Sequence, residues 1–258
     1  MILQINIQDG RMNSFFDKDF TSSAFELFGT AHLVALSLLA IMIVLLIYLR
    51  KRKSGRLNSI FRIIVAAVLI LDELLYHFWN MHIQEWTLQK MLPLHLCSVF
   101  VWLCALMLLI KSRQIYEFAY FLGIGGALQV MLTPDIGDYN FPHFRFFQVF
   151  LSHGLIITSA LYMTIVEGMR PTLKSFARVF IWLNVYVVFV FFINLIVGGN
   201  YLYIMQKPET ASLLDALGPW PVYIIASEAV AFITFLFLYA PFWFRDLFSK
   251  GTSHTTSP

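Results

Sequence analysis

Seven ionisable side chains stand inside or at the edges of long apolar runs: His32, Asp72, Glu73, His77, His95, His153 and Glu228. Cys97, Asn194, Asn200 and Tyr201 are softer members of the same set. In hydrocarbon such groups are costly unless paired or hydrated, so each marks either chemistry or a buried structural pair. Glu73 and His77 are four residues apart and share one helical face, which suits a general base, a metal site or a simple buried pair. Leu92-Pro93-Leu94-His95-Leu96-Cys97-Ser98 opens another apolar run, with Pro93 expected in the first turn of its helix. Cys97 would lie about 200° round an ideal helix from His95. A proton acceptor for its thiol is therefore expected from another helix, where His153 and His77 have suitable depth. A helix opening at Pro93 leaves Cys97 in the second turn, where the N-terminal field favours a thiolate only weakly. By residue type alone a single cysteine in an apolar helix reads as a packing residue, and Cys104 is a second one.

Depth adds a pattern. Counting inward at about 1.5 Å per residue, His32, His77, His95 and Cys97 fall within two turns of one end of their helices. Glu73, His153 and Glu228 lie a third to half of the way in. The distribution predicts one polar cavity opening at one face, with Glu117 and Glu167 snorkelling at the opposite boundary. Gly123, Gly125 and Gly126 read as close helix contacts. Asp135, following Thr133-Pro134, reads as a head-group ligand or a cap. The segment from Gly199 through Gly218-Pro219-Trp220-Pro221 is either a lid over the cavity or an interfacial loop.

The elements that must position these groups follow from hydrophobicity. Of 258 residues, 59% are hydrophobic and 13% charged, and the mean hydropathy is +0.73. That balance excludes an ordinary water-soluble core. A helix needs about 20 apolar residues to cross a bilayer. About seven such runs are found, near 29-49, 60-81, 93-110, 115-133, 144-167, 176-198 and 220-244. The fold class is therefore all-α, a polytopic membrane helix bundle. Its expected organisation is an extracytoplasmic tail over 1-26, a transmembrane domain over 27-247 and a cytoplasmic tail over 248-258. The tail lacks the basic start and apolar run of a cleaved signal, and Ser23 with Glu26 is spaced as a capping box for the first helix. Cys97 and Cys104, separated by roughly 10 Å of helix rise, cannot form an intrachain disulfide, and no Cys-rich metal site exists.

Charge sets the orientation. Thirteen of the 18 Lys and Arg residues collect on one side, from Arg50, Lys51, Arg52 and Lys53 through Lys111, Arg113 and Lys174 to Arg245. Arg11, Lys18, Lys90, Arg145 and Lys207 lie on the other. The rich side is expected to be cytoplasmic, with the N-terminus outside and the C-terminus inside. The expected location is the cell membrane, with membrane lipid as partner and no nucleic acid.

Several longer motifs act together: Leu92-Pro-Leu-His95-Leu-Cys97-Ser98, Gly123-Ile-Gly125-Gly126-Ala127 running to Thr133-Pro134-Asp135, and Phe141-Pro142-His143-Phe-Arg145-Phe leading to His153. To these are added Gly199-Asn200-Tyr201, Lys207-Pro208 and Gly218-Pro219-Trp220-Pro221-Val-Tyr223. With them the chain resembles the YwaF-like seven-helix integral membrane family of bacteria, itself distantly similar to eukaryotic transmembrane protein 164. The resemblance implies a lipid acyltransferase that carries a fatty acyl group from phospholipid to lysophospholipid through a cysteine, which corresponds to Cys97. Under it, His153 or His77 moves the proton, with His95 as a further catalytic candidate. Asn200 or Tyr201 stabilises the oxyanion, and Glu73, Asp135 and Glu228 complete the substrate site. Lipid enters sideways, and no soluble cofactor is needed. Two other readings stay open. One is a metal-dependent lipid hydrolase using His77, His95, His153 and Glu73 or Glu228, although closely spaced His pairs are lacking. The other is a non-catalytic receptor, sensor or carrier, because fold does not fix function.

Overall fold

In a computed structural model, which describes residues 15–20, 25–208 and 213–251, the described chain is all-helical. The helices are α1 (Thr30–Arg52), α2 (Gly55–His82), α3 (Leu96–Ile110), α4 (Arg113–Leu132), α5 (Phe144–Ile165), α6 (Leu173–Val197) and α7 (Val222–Gly251). Five of them, α1, α4, α5, α6 and α7, are long and apolar enough to cross a membrane. The 28-residue α2 is long but carries Arg62, Asp72 and Glu73, and α3 has only 15 residues.

Local chemistry sets the boundaries. α1 ends in Arg50-Lys51-Arg52 with Lys53 left-handed at φ 50, and Ser54 then caps α2 through Leu57 N–H. Ser112 caps α4 in the same way. Thr172 and Ser175 form a capping box for α6, which Gly198 closes at φ 68, a conformation that favours glycine. Inside α4, residues Ala119–Gly123 widen into a π-helical turn. The resulting bulge brings Gly123 between neighbours, where an added Cβ would stand 3.2 Å from Ile156 and 3.4 Å from Phe100. Gly125 packs on Thr234 of α7 in a similar manner. Space around Gly126 is open, so the close contact expected there is not made.

The hub is α5, which buries faces against α1, α2, α3 and α4, while α6 and α7 join the body mainly through α4 and each other. The basic end, with Arg50–Lys53, Lys111, Arg113 and Lys174, is tied by ion pairs. Glu117 is buried against Arg178 at 3.0 Å, and Glu167 meets Lys111 at 2.9 Å and the Tyr162 hydroxyl at 3.0 Å. Both carboxylates were expected to snorkel; they are instead fixed between helices, because each has a cation within reach of its own depth. At the far end lie the segments 83–95, 133–143, 198–208 and 213–221. There Lys18 and Lys90 grip Glu85 at 2.5 and 2.8 Å and hold its exposed carboxyl down to about 2.

Two expectations about helix starts are also corrected. Helix α3 starts at Leu96, with His95 as its extended N-cap, so Pro93 precedes the helix and Cys97 belongs to its first turn. The N-cap of α1 is Gly29, without a side-chain cap; Ser23 lies outside the described residues.

Candidate functional site

The far end of the bundle gathers the polar groups. From α2 come Asp72, Glu73, Tyr76 and His77; from α5 come Arg145, Gln148, Ser152 and His153. Gln148 Nε2 donates to Asp72 Oδ2 at 3.1 Å, and Gln148 Oε1 accepts from Arg145 Nη1. The Arg145 guanidinium lies over the Tyr76 ring, 4.2 Å from its centroid, a cation–π seat that leaves further guanidinium N–H groups for a ligand. No carboxylate among the described residues forms an ion pair with Arg145 at 4 Å or less, although Asp72 and Glu73 feel its charge.

Two histidines have assigned tautomers because their partners have one role each. Trp86 Nε1–H, which can only donate, bonds His77 Nδ1 at 3.0 Å. The His77 proton is therefore on Nε2, facing Glu73 Oε1 at 3.7 Å. Its lone pair is spent on the indole. In His153 the situation is reversed. Its Nδ1 donates to the Val149 carbonyl, which can only accept, at 2.7 Å, with Ser152 Oγ at 3.2 Å from the same nitrogen. Nε2 keeps its lone pair and has no hydrogen-bond partner among the described residues.

Cys97 enters from α3. Helices α3 and α5 run the same way, and Phe100 and Ile156 both meet the Gly123 position. Cys97 and His153 are each three residues earlier, one turn further toward the far end on those same faces. Their register therefore brings the thiol and the free imidazole edge to one level. Cys97 also sits within electrostatic reach of Glu73. As the second residue of α3 it lies where the unpaired N–H groups of the helix start point, and His95 makes no side-chain cap on them.

The segment after α6 supplies a phenol. Leu202 and Tyr203 both have left-handed backbones, at φ 60 and 53, an arrangement that persists only when its surroundings hold it. Asn194 does so from below, through Nδ2 to Tyr201 O at 3.0 Å and Oδ1 from Tyr201 N at 2.8 Å. Tyr223 donates to Tyr203 O at 2.5 Å. The Tyr203 ring thereby packs on His95, with centroids 5.3 Å apart. Its phenol lies within electrostatic reach of Cys97, Tyr76, Asp135 and Arg145, and its hydroxyl has no hydrogen-bond partner among the described residues.

The anticipated residues are thus distributed unevenly. Cys97, His153, Glu73, His77 and His95 gather here, with the exposed Asp135 at the rim. The Tyr201 hydroxyl is occupied, donating to Leu88 O at 2.6 Å and accepting from Leu92 N at 2.8 Å. Asn200 is likewise engaged, with Oδ1 on Met205 N and Gln206 N and Nδ2 on Gln206 O. Both fasten the 198–206 segment. Glu228 accepts from Asn184 at 3.1 Å, between α7 and α6. Arg145, Gln148, Tyr76 and Tyr203 were not singled out as site residues from the sequence, and Asp72 was marked only as one of the costly ionisable groups. The spacings Asp72 to Tyr76 and Arg145 to Gln148, each one turn, were a signal that went unread; Tyr203 follows no helical period and left none. Among the described residues no group of three His, Cys, Asp or Glu side chains could hold a metal ion, which leaves the metal-hydrolase reading without a ligand set.

The family model described as the TMEM164 family matches residues 27–239. No curated protein and no solved structure matches the chain.

Proposed function

The chain belongs to the TMEM164 family, and from that premise we propose that it is a multi-pass membrane enzyme, akin to a YwaF-like bacterial branch, that moves a fatty acyl group between phospholipid and lysophospholipid through Cys97. The observation that carries the reading is the register of Cys97 with a His153 whose Nδ1 is tied to Val149 O and whose Nε2 is free.

The chemistry balances without a cofactor. The Cys97 thiol passes its proton to His153 Nε2 as sulfur attacks the ester carbonyl. The tetrahedral oxyanion is met by N–H groups of the α3 start and by the Tyr203 hydroxyl. Its collapse breaks the ester C–O bond, and the departing lysophospholipid alkoxide takes the proton from His153. A lysophospholipid hydroxyl then gives its proton to the same nitrogen and attacks the thioester, and the thiol is restored. The pairing of His77 with Trp86 and Glu73 makes it a donor that shapes the cavity, and Arg145 is the cation on which a lipid phosphate can rest. Seven crossings, with the basic end cytoplasmic and the site opening to the outer leaflet, accord with the sorting of Lys and Arg.

The test is lipid mass spectrometry on purified protein given phospholipid and lysophospholipid, with hydroxylamine to release a thioester. Wild type should transfer acyl groups and yield a hydroxylamine-labile adduct that Cys97→Ala lacks. His153→Ala should slow transfer by about a hundredfold or more, the usual scale for a lost general base. A folded wild type with neither turnover nor adduct across varied lipids would overturn the enzyme reading in favour of a ligand-binding or transport protein.

A further inference from the structure

Next to the edge of α5 that carries His153 lies a slot between α1 and α5. Helix α1 is attached at its ends and stands off in the middle. His32 is buried at one end, with Nε2 2.8 Å from Met131 O and Nδ1 accepting from Phe28 N at 3.0 Å, and Leu46 and Leu49 are buried at the other. No residue from 33 to 45 is fully buried. Between these anchors is a cavity of about 550 Å3, walled by Ala35, Leu38 and Met42 of α1 and by Phe150, Gly154 and Thr158 of α5.

Its chemistry admits few occupants. The walls are apolar, and the Thr158 hydroxyl is spent on Gly154 O at 2.8 Å, so water would find too few polar partners to stay. A partner helix, about 10–12 Å across with its side chains, cannot enter a slot closed at both ends. The lining runs from Thr30 to Met42 on one wall and from Phe146 to Thr158 on the other, about 18 Å at the rise of a helix. It begins at the far end, beside Thr30 and Phe141, and reaches the middle of the apolar helices. Small residues facing each other across a membrane interface ordinarily let helices close; Ala31, Ala35 and Gly154 here face a gap. A Cβ added at Gly154 would meet nothing within 4 Å.

We infer that this slot holds one acyl chain of an intact phospholipid from the adjacent leaflet, in a site whose lining includes neither Cys97 nor His153. No residue of the Cys97 cluster lines the slot: Leu151, Gly154 and Thr158 are about 130° round α5 from Gln148, Ser152 and Ile156, and Phe146 and Phe150 form the wall on the His153 side. The bound chain fills the gap that holds α1 off the body, and the site does not depend on acyl transfer.

The experiment uses full-length protein in phosphatidylcholine vesicles doped with phosphatidylcholine that bears a photoactivatable diazirine in mid-chain. Illumination and peptide mapping should place adducts on 38–42 and 154–158 at greater density than around lipid-facing Ile196. Gly154→Leu and, from the other wall, Ala35→Leu should each cut slot adducts by about tenfold, the loss of roughly two buried methylene contacts. Adducts at Ile196 should not change, nor should the thermal midpoint of Gly154→Leu fall. Slot labelling no denser than at Ile196, or undiminished in both variants, overturns the site. Labelling by a diazirine fatty acid but not by the phospholipid overturns the assignment to an intact lipid. Loss of acyl transfer in Cys97→Ala with slot labelling intact would confirm that the two sites are distinct.

Discussion

Two tyrosines two residues apart do opposite work. Tyr201 spends its hydroxyl on two backbone groups, Leu88 O and Leu92 N, while Tyr203 has a hydroxyl that no described residue occupies. Tyr201→Phe should therefore lower stability by about 1–3 kcal/mol, the cost of orphaning buried backbone partners, seen as a fall in the unfolding midpoint. Tyr203→Phe should leave that midpoint nearly unchanged and slow acyl transfer by about a hundredfold, the scale of a lost oxyanion donor. Equal destabilisation by both, or full turnover in Tyr203→Phe, would contradict the assignment. Residue type and spacing made Cys97, His153 and the Glu73–His77 pair legible. They did not distinguish Tyr201 from Tyr203, because that choice depends on the left-handed backbone at Leu202 and Tyr203 and on the clamp from Asn194.

Between elements, the π-helical turn of α4 sets how closely α3 and α5 approach. Gly123 stands where Phe100 and Ile156 converge, one turn below Cys97 and His153. Gly123→Ala should cost about 1–3 kcal/mol by overpacking. Gly126→Ala, with open space around it, should be neutral or stabilising by up to about 1 kcal/mol through helix propensity. Thermal unfolding of both variants in detergent checks this, and identical behaviour would remove Gly123 from its assigned place. The hydrophobic runs located all seven long helices, most ends to within three residues, although α2 starts five residues earlier and α7 ends seven residues later than expected. The start of α3 was misplaced because Pro93 fits a first turn equally well as a residue just before one. The extended backbone of His95, φ −68 and ψ 140, shifts the helix to Leu96 and carries Cys97 into the first turn.

For the whole molecule, the asymmetry of Lys and Arg predicts that a C-terminal fluorescent protein, bright only when folded in the cytoplasm, will fluoresce. An outward-only phosphatase at the same position should then be silent; the reverse result would invert the bundle and move the site to the other leaflet. Sequence alone determined the all-helical class, the membrane setting and the end at which costly polar groups collect, because apolar run length, charge bias and depth along a helix are one-dimensional quantities. Tertiary structure decided which of those groups meet. Asp72 finds Gln148, 76 residues away, and His32 fastens α1 to Met131 over 99 residues. Glu228, on the inward face of α7, turns to Asn184 instead of the cluster. Such pairings depend on how helices rotate and slide against one another, and that follows from packing at sites such as the π-turn and Gly123, summed over contacts distant in the chain. The slot beside Gly154 has the same origin, since only the joint positions of α1 and α5 leave room between them.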